Sequence, residues 1–157
     1  MMTDNDQDID VLLAGSIAAF GLIAKSLAPA LERVTMQQYR VLVLLGTRGP
    51  MRSSDLALEL GLLASGITRI VNRLIGAGYV LKQAGQKSRR EVIVTATDSG
   101  LALVRDALDR RREELSTLLT VLSAPDRKAL VRASRALASA LDGDEDLGHR
   151  ILTNRHS

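Results

Sequence analysis

The chain of 157 residues contains no cysteine and no tryptophan, and it has one phenylalanine, two tyrosines, three prolines and two histidines. Without cysteine there are no disulfides, thiolate metal ligands, cysteine nucleophiles or thiol-based redox sensors. With aromatic residues at 2%, the core has to be built from Leu, Val, Ile and Ala, which favours helices packed on helices. The two histidines, His149 and His156, stand in the C-terminal stretch far from any ligand cluster, so no metal site is expected. No trio of nucleophile, base and orienting group is legible, nor is a phosphate-cradling glycine loop. The acids at 113, 114 and 144 to 146 suit solvated helix and tail charge. The expectation is a non-enzyme without a cofactor. No uninterrupted apolar run approaches the ~18 residues of a membrane span. The start carries Asp4, Asp6, Asp8 and Asp10 in place of the basic-then-apolar order of a secretory leader. A cytoplasmic protein with no membrane partner is therefore expected.

What is present is an ordinary globular composition, 46% hydrophobic and 25% charged, in a length that suits one compact domain better than two independent ones. The net charge is only +3, but it is unevenly spread. From Arg33 to Glu91 ten Lys or Arg face three acids, a net of +7, so the remainder carries a net of −4. A basic middle between acidic flanks is the footprint of a subregion that meets phosphates, although a solvated basic surface gives the same count.

Hydrophobic periodicity divides the chain into about six helices and a small hairpin. Residues 1 to 8 read as polar and frayed. Ile9 to Leu31 reads as a helix apolar on most sides, to be buried within or between subunits, with Pro29 at its end or kinking it. Thr35 is placed to cap a second helix over about 36–47, stopped by Gly49 and Pro50. Ser53 or Ser54 opens a short third helix closed by Gly61. A fourth follows over about 64–77, with Ile67, Ile70, Val71 and Leu74 as one buried stripe. The period then changes. Tyr79–Gln83 and Glu91–Ala96 read as two strands around a polar loop. Thr97 caps a long fifth helix over about 98–122, and Ser123 with Pro125 opens a sixth to about Leu141. Residues 142–157 read as a polar tail.

Helix, turn, helix and basic hairpin form an arrangement suited to reading a duplex. A major groove about 12 Å wide accepts one helix, provided that a preceding helix buttresses it. The fourth helix divides as the task requires: its stripe anchors it, while Ser65, Thr68, Arg69, Asn72 and Arg73 face outward. Ala64, Ser65 and Gly66 are small enough to let its start approach a base edge or phosphate. Arg69 suits a two-pronged bond to guanine, while Asn72 and Arg73 can reach bases or phosphates. Taken alone, such a helix also fits a surface helix with solvated arginines. The hairpin favours the DNA reading, because Lys87, Arg89 and Arg90 crowd together at its tip and repel one another unless an anion meets them. The minor groove beside a bound helix offers that anion. Arg52, before the third helix, completes the basic candidates.

From Thr35 to Gly100 these pieces resemble the DNA-binding core of the MarR family of regulators. Thr35-Met36-Gln37-Gln38-Tyr39-Arg40-Val41-Leu42 is similar to the opening of the family's second helix. Ser54-Asp55-Leu56-Ala57 with Leu60-Gly61-Leu62 resembles its third, and Thr68-Arg69-Ile70-Val71-Asn72-Arg73-Leu74 its recognition helix. Gly78-Tyr79-Val80 and Arg89-Arg90, with Val94, Thr97 and Gly100 beyond, resemble its wing. Two positions depart from the pattern. Ser88 stands where the family usually has an aspartate before the wing arginines, leaving open whether Arg89 or Arg90 enters the groove. Asn72 stands where an aspartate is common, which removes a negative charge facing phosphate and should raise general DNA affinity.

The resemblance implies a mainly α fold, a winged helix-turn-helix over 35–97, flanked by dimerisation helices over 1–34 and 98–141. It implies a homodimer, probing duplex DNA at an inverted repeat with half-sites about one helical turn apart, and repression as the commoner outcome. It further implies a crevice for a small aromatic or phenolic effector near Phe20, Tyr39 and the early fifth helix, although either residue also suits an ordinary core position. A winged-helix module that binds a protein partner is the competing reading. A steep fall of DNA affinity with salt separates the two.

Overall fold

A computed structural model describes residues 4–85 and 91–141 of the chain. Nine elements follow one another: α1 (Asp4–Leu31), α2 (Met36–Arg48), β1 (Met51–Arg52), α3 (Ser53–Leu60), α4 (Ala64–Gly76), β2 (Val80–Ala84), β3 (Val92–Ala96), α5 (Asp98–Val121) and α6 (Ala124–Leu141). The fold is the mainly helical winged architecture that the periodicity implies.

Several ends are set by the residues expected to set them. The Thr35 side chain accepts from the Gln38 N–H while the Gln38 side chain accepts from the Thr35 N–H, a reciprocal capping box at the start of α2. Thr97 caps α5 by accepting from the Gly100 N–H. Gly61 closes α3 in the left-handed region at φ +65, which a side chain would resist. Ser53 opens α3 as expected, and the N-cap before it is Arg52, which makes no side-chain capping bond.

The sheet has one more strand than the hairpin expected from sequence. Its order is β1-β3-β2, all antiparallel, with Met51 opposite Val94 and Arg52 opposite Ile93 on one side, and Val80 opposite Ala96 on the other. A two-residue strand has no alternation to read, so its pairing emerges only in three dimensions.

The core gathers α2, α3, α4, the sheet and the first half of α5 around Val41, Leu42, Leu56, Ile67, Leu74, Val80 and Val94. Only the last turns of α1 join it, through Leu27 and Ala30, followed by Val34 in the connection to α2. That helix starts earlier than Ile9, already at Asp4, and passes Pro29 to end two residues later. It packs along α5. There the Arg111 guanidinium donates to the buried Ser26 hydroxyl at 3.2 Å, and Lys25 pairs with Glu114 at 2.6 Å. Residues 5–21 of α1, by contrast, are exposed throughout, including Ile9, Val11, Leu12, Leu13, Ile17 and Phe20. The side chains of α6 from 124 to 140 are exposed as well. Although no run of ~18 apolar residues is uninterrupted, α1 is long and apolar enough, by length and composition, to cross a membrane.

Candidate nucleic-acid interface

The fourth helix is held as its sequence pattern requires. Ile67, Ile70, Val71 and Leu74 are buried, and Ser65, Thr68, Arg69, Asn72 and Arg73 are exposed on the opposite side. Gly66 is half-buried, and the nearest atom to a β-carbon there would be Leu62 Cβ at 3.9 Å. Its choice therefore owes nothing to crowding within the subunit. Thr68 donates its hydroxyl proton to the Ala64 carbonyl at 2.8 Å, so its oxygen remains an acceptor facing outward.

Arg69 and Arg73 lie one helical turn apart on the wall of a groove of about 380 Å³. Its other wall is the start of α2, from Thr35 to Gln38. Two guanidinium groups facing a capped helix start make this groove electropositive, a surface suited to an anionic backbone. The sequence pattern marks both arginines; it does not reveal that the start of α2 joins them, because the two helices begin 28 residues apart and come together only in the fold.

Arg52 is a different case. It lies at the end of β1, and its Nε is 2.5 Å from Glu91 Oε1. The arginine side chain remains about half exposed, whereas that of Glu91 is 17% exposed. Because Arg52 lies opposite Ile93, Glu91 is its diagonal neighbour on the same sheet face, within reach of a long side chain. A second groove, of about 210 Å³, runs from this pair past Ser53 and Ser54 to Ala64 and Thr68 at the start of α4. The one signal in sequence for this arrangement is that Glu91 is the only carboxylate between Glu59 and Asp98.

Lys87, Ser88, Arg89 and Arg90 lie outside the described residues. The base of their loop is closed where the Gly85 N–H donates to the Glu91 carbonyl at 2.7 Å. Of the two effector-crevice candidates, Tyr39 is buried on α2 and Phe20 is not. Phe20 is 69% exposed on α1, so the core position also considered for it does not exist within one protomer. Burial raises the Tyr39 hydroxyl above its ordinary value of 10.0, with the nearby Arg111 charge opposing the shift. Sequence reasoning missed Arg111 and Ser26, whose partnership spans 85 residues and leaves no local trace. Among the described residues no group of three or more His, Asp or Glu could hold a metal ion.

Comparison with known proteins decides the lineage. Residues 34–92 match the sequence model of the MarR family. The crystal structure of RV1404 from Mycobacterium tuberculosis superposes with a TM-score of 0.81 at 33% identity, covering 90% of this chain and 97% of that one. The chain belongs to the MarR family. The HTH-type transcriptional regulator YfiV of Bacillus subtilis is 27% identical over 142 residues, 90% of this chain and 88% of YfiV. NadR, solved in complex with 4-hydroxyphenylacetate, is 25% identical with a TM-score of 0.53, covering 82% of this chain and 92% of that one. As a MarR-family member the chain is a DNA-binding transcriptional regulator, and its curated relatives are regulators rather than enzymes.

Proposed function

We propose that the protein acts as a homodimer that represses transcription by covering an inverted repeat in duplex DNA. The observation that carries this reading is the unpartnered apolar surface of α1. Ile9, Leu13, Ile17 and Phe20 all face water in a single protomer. A row of exposed apolar side chains along one helix marks an interaction surface. A second copy covers it by pairing α1 with its own equivalent and with the exposed Leu130, Val131 and Leu137 of α6. A membrane is the other apolar environment that α1 fits by composition. We favour the second copy, because the chain belongs to a family of DNA-binding regulators and a symmetric DNA site calls for two copies.

On this reading residues 1–34 and 98–141 build the dimer, and 35–97 read DNA, in the cytoplasm where the chromosome is. Ser65, Gly66, Thr68, Arg69, Asn72 and Arg73 enter the major groove. Lys87, Arg89 and Arg90 follow the adjacent minor groove, and Arg52 meets a phosphate between them. A small aromatic or phenolic effector enters between α1, α2 and α5, beside Tyr39 and Phe20, and lowers DNA affinity. The aromatic acid bound by NadR supports this class.

Sedimentation equilibrium tests the proposal. The protein should sediment as a dimer at micromolar concentration, and Ile17→Asp should give a folded monomer with weakened DNA binding. A wild-type protein that stays monomeric would contradict the reading.

A further inference from the structure

The ion pair between Arg52 and Glu91 lies in the groove between the start of α4 and the base of the wing, and it does more than brace the sheet. Two features show that Glu91 is directed there. Its carbonyl accepts the Gly85 N–H at 2.7 Å, which closes the hairpin base. Its side chain then crosses Gly85 so closely that a β-carbon at position 85 would lie 2.3 Å from Glu91 Oε2 and 2.6 Å from its Cγ. Only glycine leaves room for this path, and the path delivers the carboxylate to Arg52. The carboxylate is mostly covered, whereas the guanidinium keeps about half of its surface open to solvent beside Ser53, Ser54 and Thr68.

An arginine with an open face and a covered carboxylate partner is positioned for exchange. A phosphate oxygen and the Glu91 carboxylate present the same chemistry to a guanidinium: paired anionic acceptors at hydrogen-bond distance. We propose that Glu91 is a specificity-determining residue that occupies Arg52 as an internal substitute for a DNA phosphate. Loosely docked DNA has to compete with a carboxylate that is already in place, so Arg52 adds nothing to general affinity. When α4 is seated on its own site, a phosphate is held at the mouth of the groove, and Arg52 turns its donors to it. The carboxylate thus lowers binding to unrelated sequences more than binding to the operator. This inference rests on the assignment of α4 and the wing as the DNA-reading surfaces.

The test is a salt titration of duplex binding, with a site selected from random sequence and with an unrelated duplex, for wild type, Glu91→Gln, Arg52→Gln and the double variant. Wild type binding neither duplex would overturn the reading on which the inference rests. With wild-type binding present, Glu91→Gln should tighten binding to the unrelated duplex about two- to fivefold, the range that an accessible ion pair is worth. It should also steepen that duplex's salt slope by about 0.9, one phosphate contact. The same change in the Arg52→Gln background should do neither, because Glu91 acts through Arg52. Equal tightening in both backgrounds would overturn the proposal, showing that Glu91 repels DNA directly. So would weakened binding in a folded Glu91→Gln protein. Arg52→Gln gives an answer even if Glu91→Gln does not fold: it should flatten the slope by about 0.9 on the selected site and leave the unrelated duplex unchanged. An equal loss on both would contradict the proposal.

Discussion

Gly100, in the first turn of α5, stands so close to the carbonyl of Tyr79 that a β-carbon at position 100 would lie 2.2 Å from its oxygen. The same carbonyl accepts the Thr97 N–H at 3.0 Å, and the Thr97 hydroxyl donates to the neighbouring Gly78 carbonyl at 2.7 Å. The start of α5 is thereby fixed to the residues that lead into β2. The long helix α5 and the strand β2 meet at this seam, with Arg33 lying over the Tyr79 ring at 5.9 Å.

Alanine at position 100 should therefore separate the seam. We expect Gly100→Ala to destabilise the fold by about 1–3 kcal/mol, the usual range for forcing atoms into a packed site. Chemical denaturation checks this. An unchanged midpoint would mean that α5 shifts freely against β2.

The capping box at Thr35 should be felt by α2 alone. Thr35→Ala removes the acceptor for the Gln38 N–H and should cost about 1 kcal/mol, while Thr35→Ser should restore most of it. Paired denaturation curves measure the difference, and a serine variant as weak as alanine would refute the capping role.

The outward face of α4 predicts two kinds of DNA phenotype. Arg69→Ala should relax preference at one base position, a discrimination worth about 1–3 kcal/mol. Asn72→Asp should instead weaken binding to every sequence, because it places a negative charge on the face proposed to meet phosphates. Competition binding against single-base variants of a selected site distinguishes these outcomes. A position-specific loss at Asn72→Asp, or a uniform loss at Arg69→Ala, would reverse the roles.

Tyr39 makes alkaline stability informative. Its hydroxyl is held above 10.0 in the folded state by burial. The unfolded chain therefore releases this proton first as the pH rises, and binds fewer protons than the folded one. The stabilisation associated with the neutral buried hydroxyl is complete below pH 10.0 and is lost as the pH climbs through the folded-state value. Tyr39→Phe should show a shallower fall in stability above that pH than wild type. Parallel slopes for the two proteins would mean that the hydroxyl is not the group responsible.

Much of this molecule is legible before folding is considered, and the parts that are not share a cause. Thr35, Gly61 and the capping bond of Thr97 act on neighbours within three or four residues, so these roles follow from local chemistry. The stripe Ile67, Ile70, Val71 and Leu74 buries one face and leaves Arg69, Asn72 and Arg73 on the other because helical period alone divides them. The pairing of β1 with β3, the bond from Arg111 to Ser26 and the bridge from Arg52 to Glu91 join residues 39 to 85 positions apart, and no periodicity encodes such distances. Phe20 shows the opposite limit. Its apolarity suits a core equally well, and only the path of α1 away from the core reveals that it is exposed in the protomer.

The central claim is that two copies of this chain read a symmetric site in duplex DNA. Selection from random duplexes with purified protein, followed by salt titration of the enriched site, tests it most directly. The account predicts an inverted repeat with half-sites about one helical turn apart and an affinity that falls steeply with salt. Enrichment of a single unrepeated half-site would contradict the dimer, and absence of any enrichment even at low salt would contradict the reading surface itself.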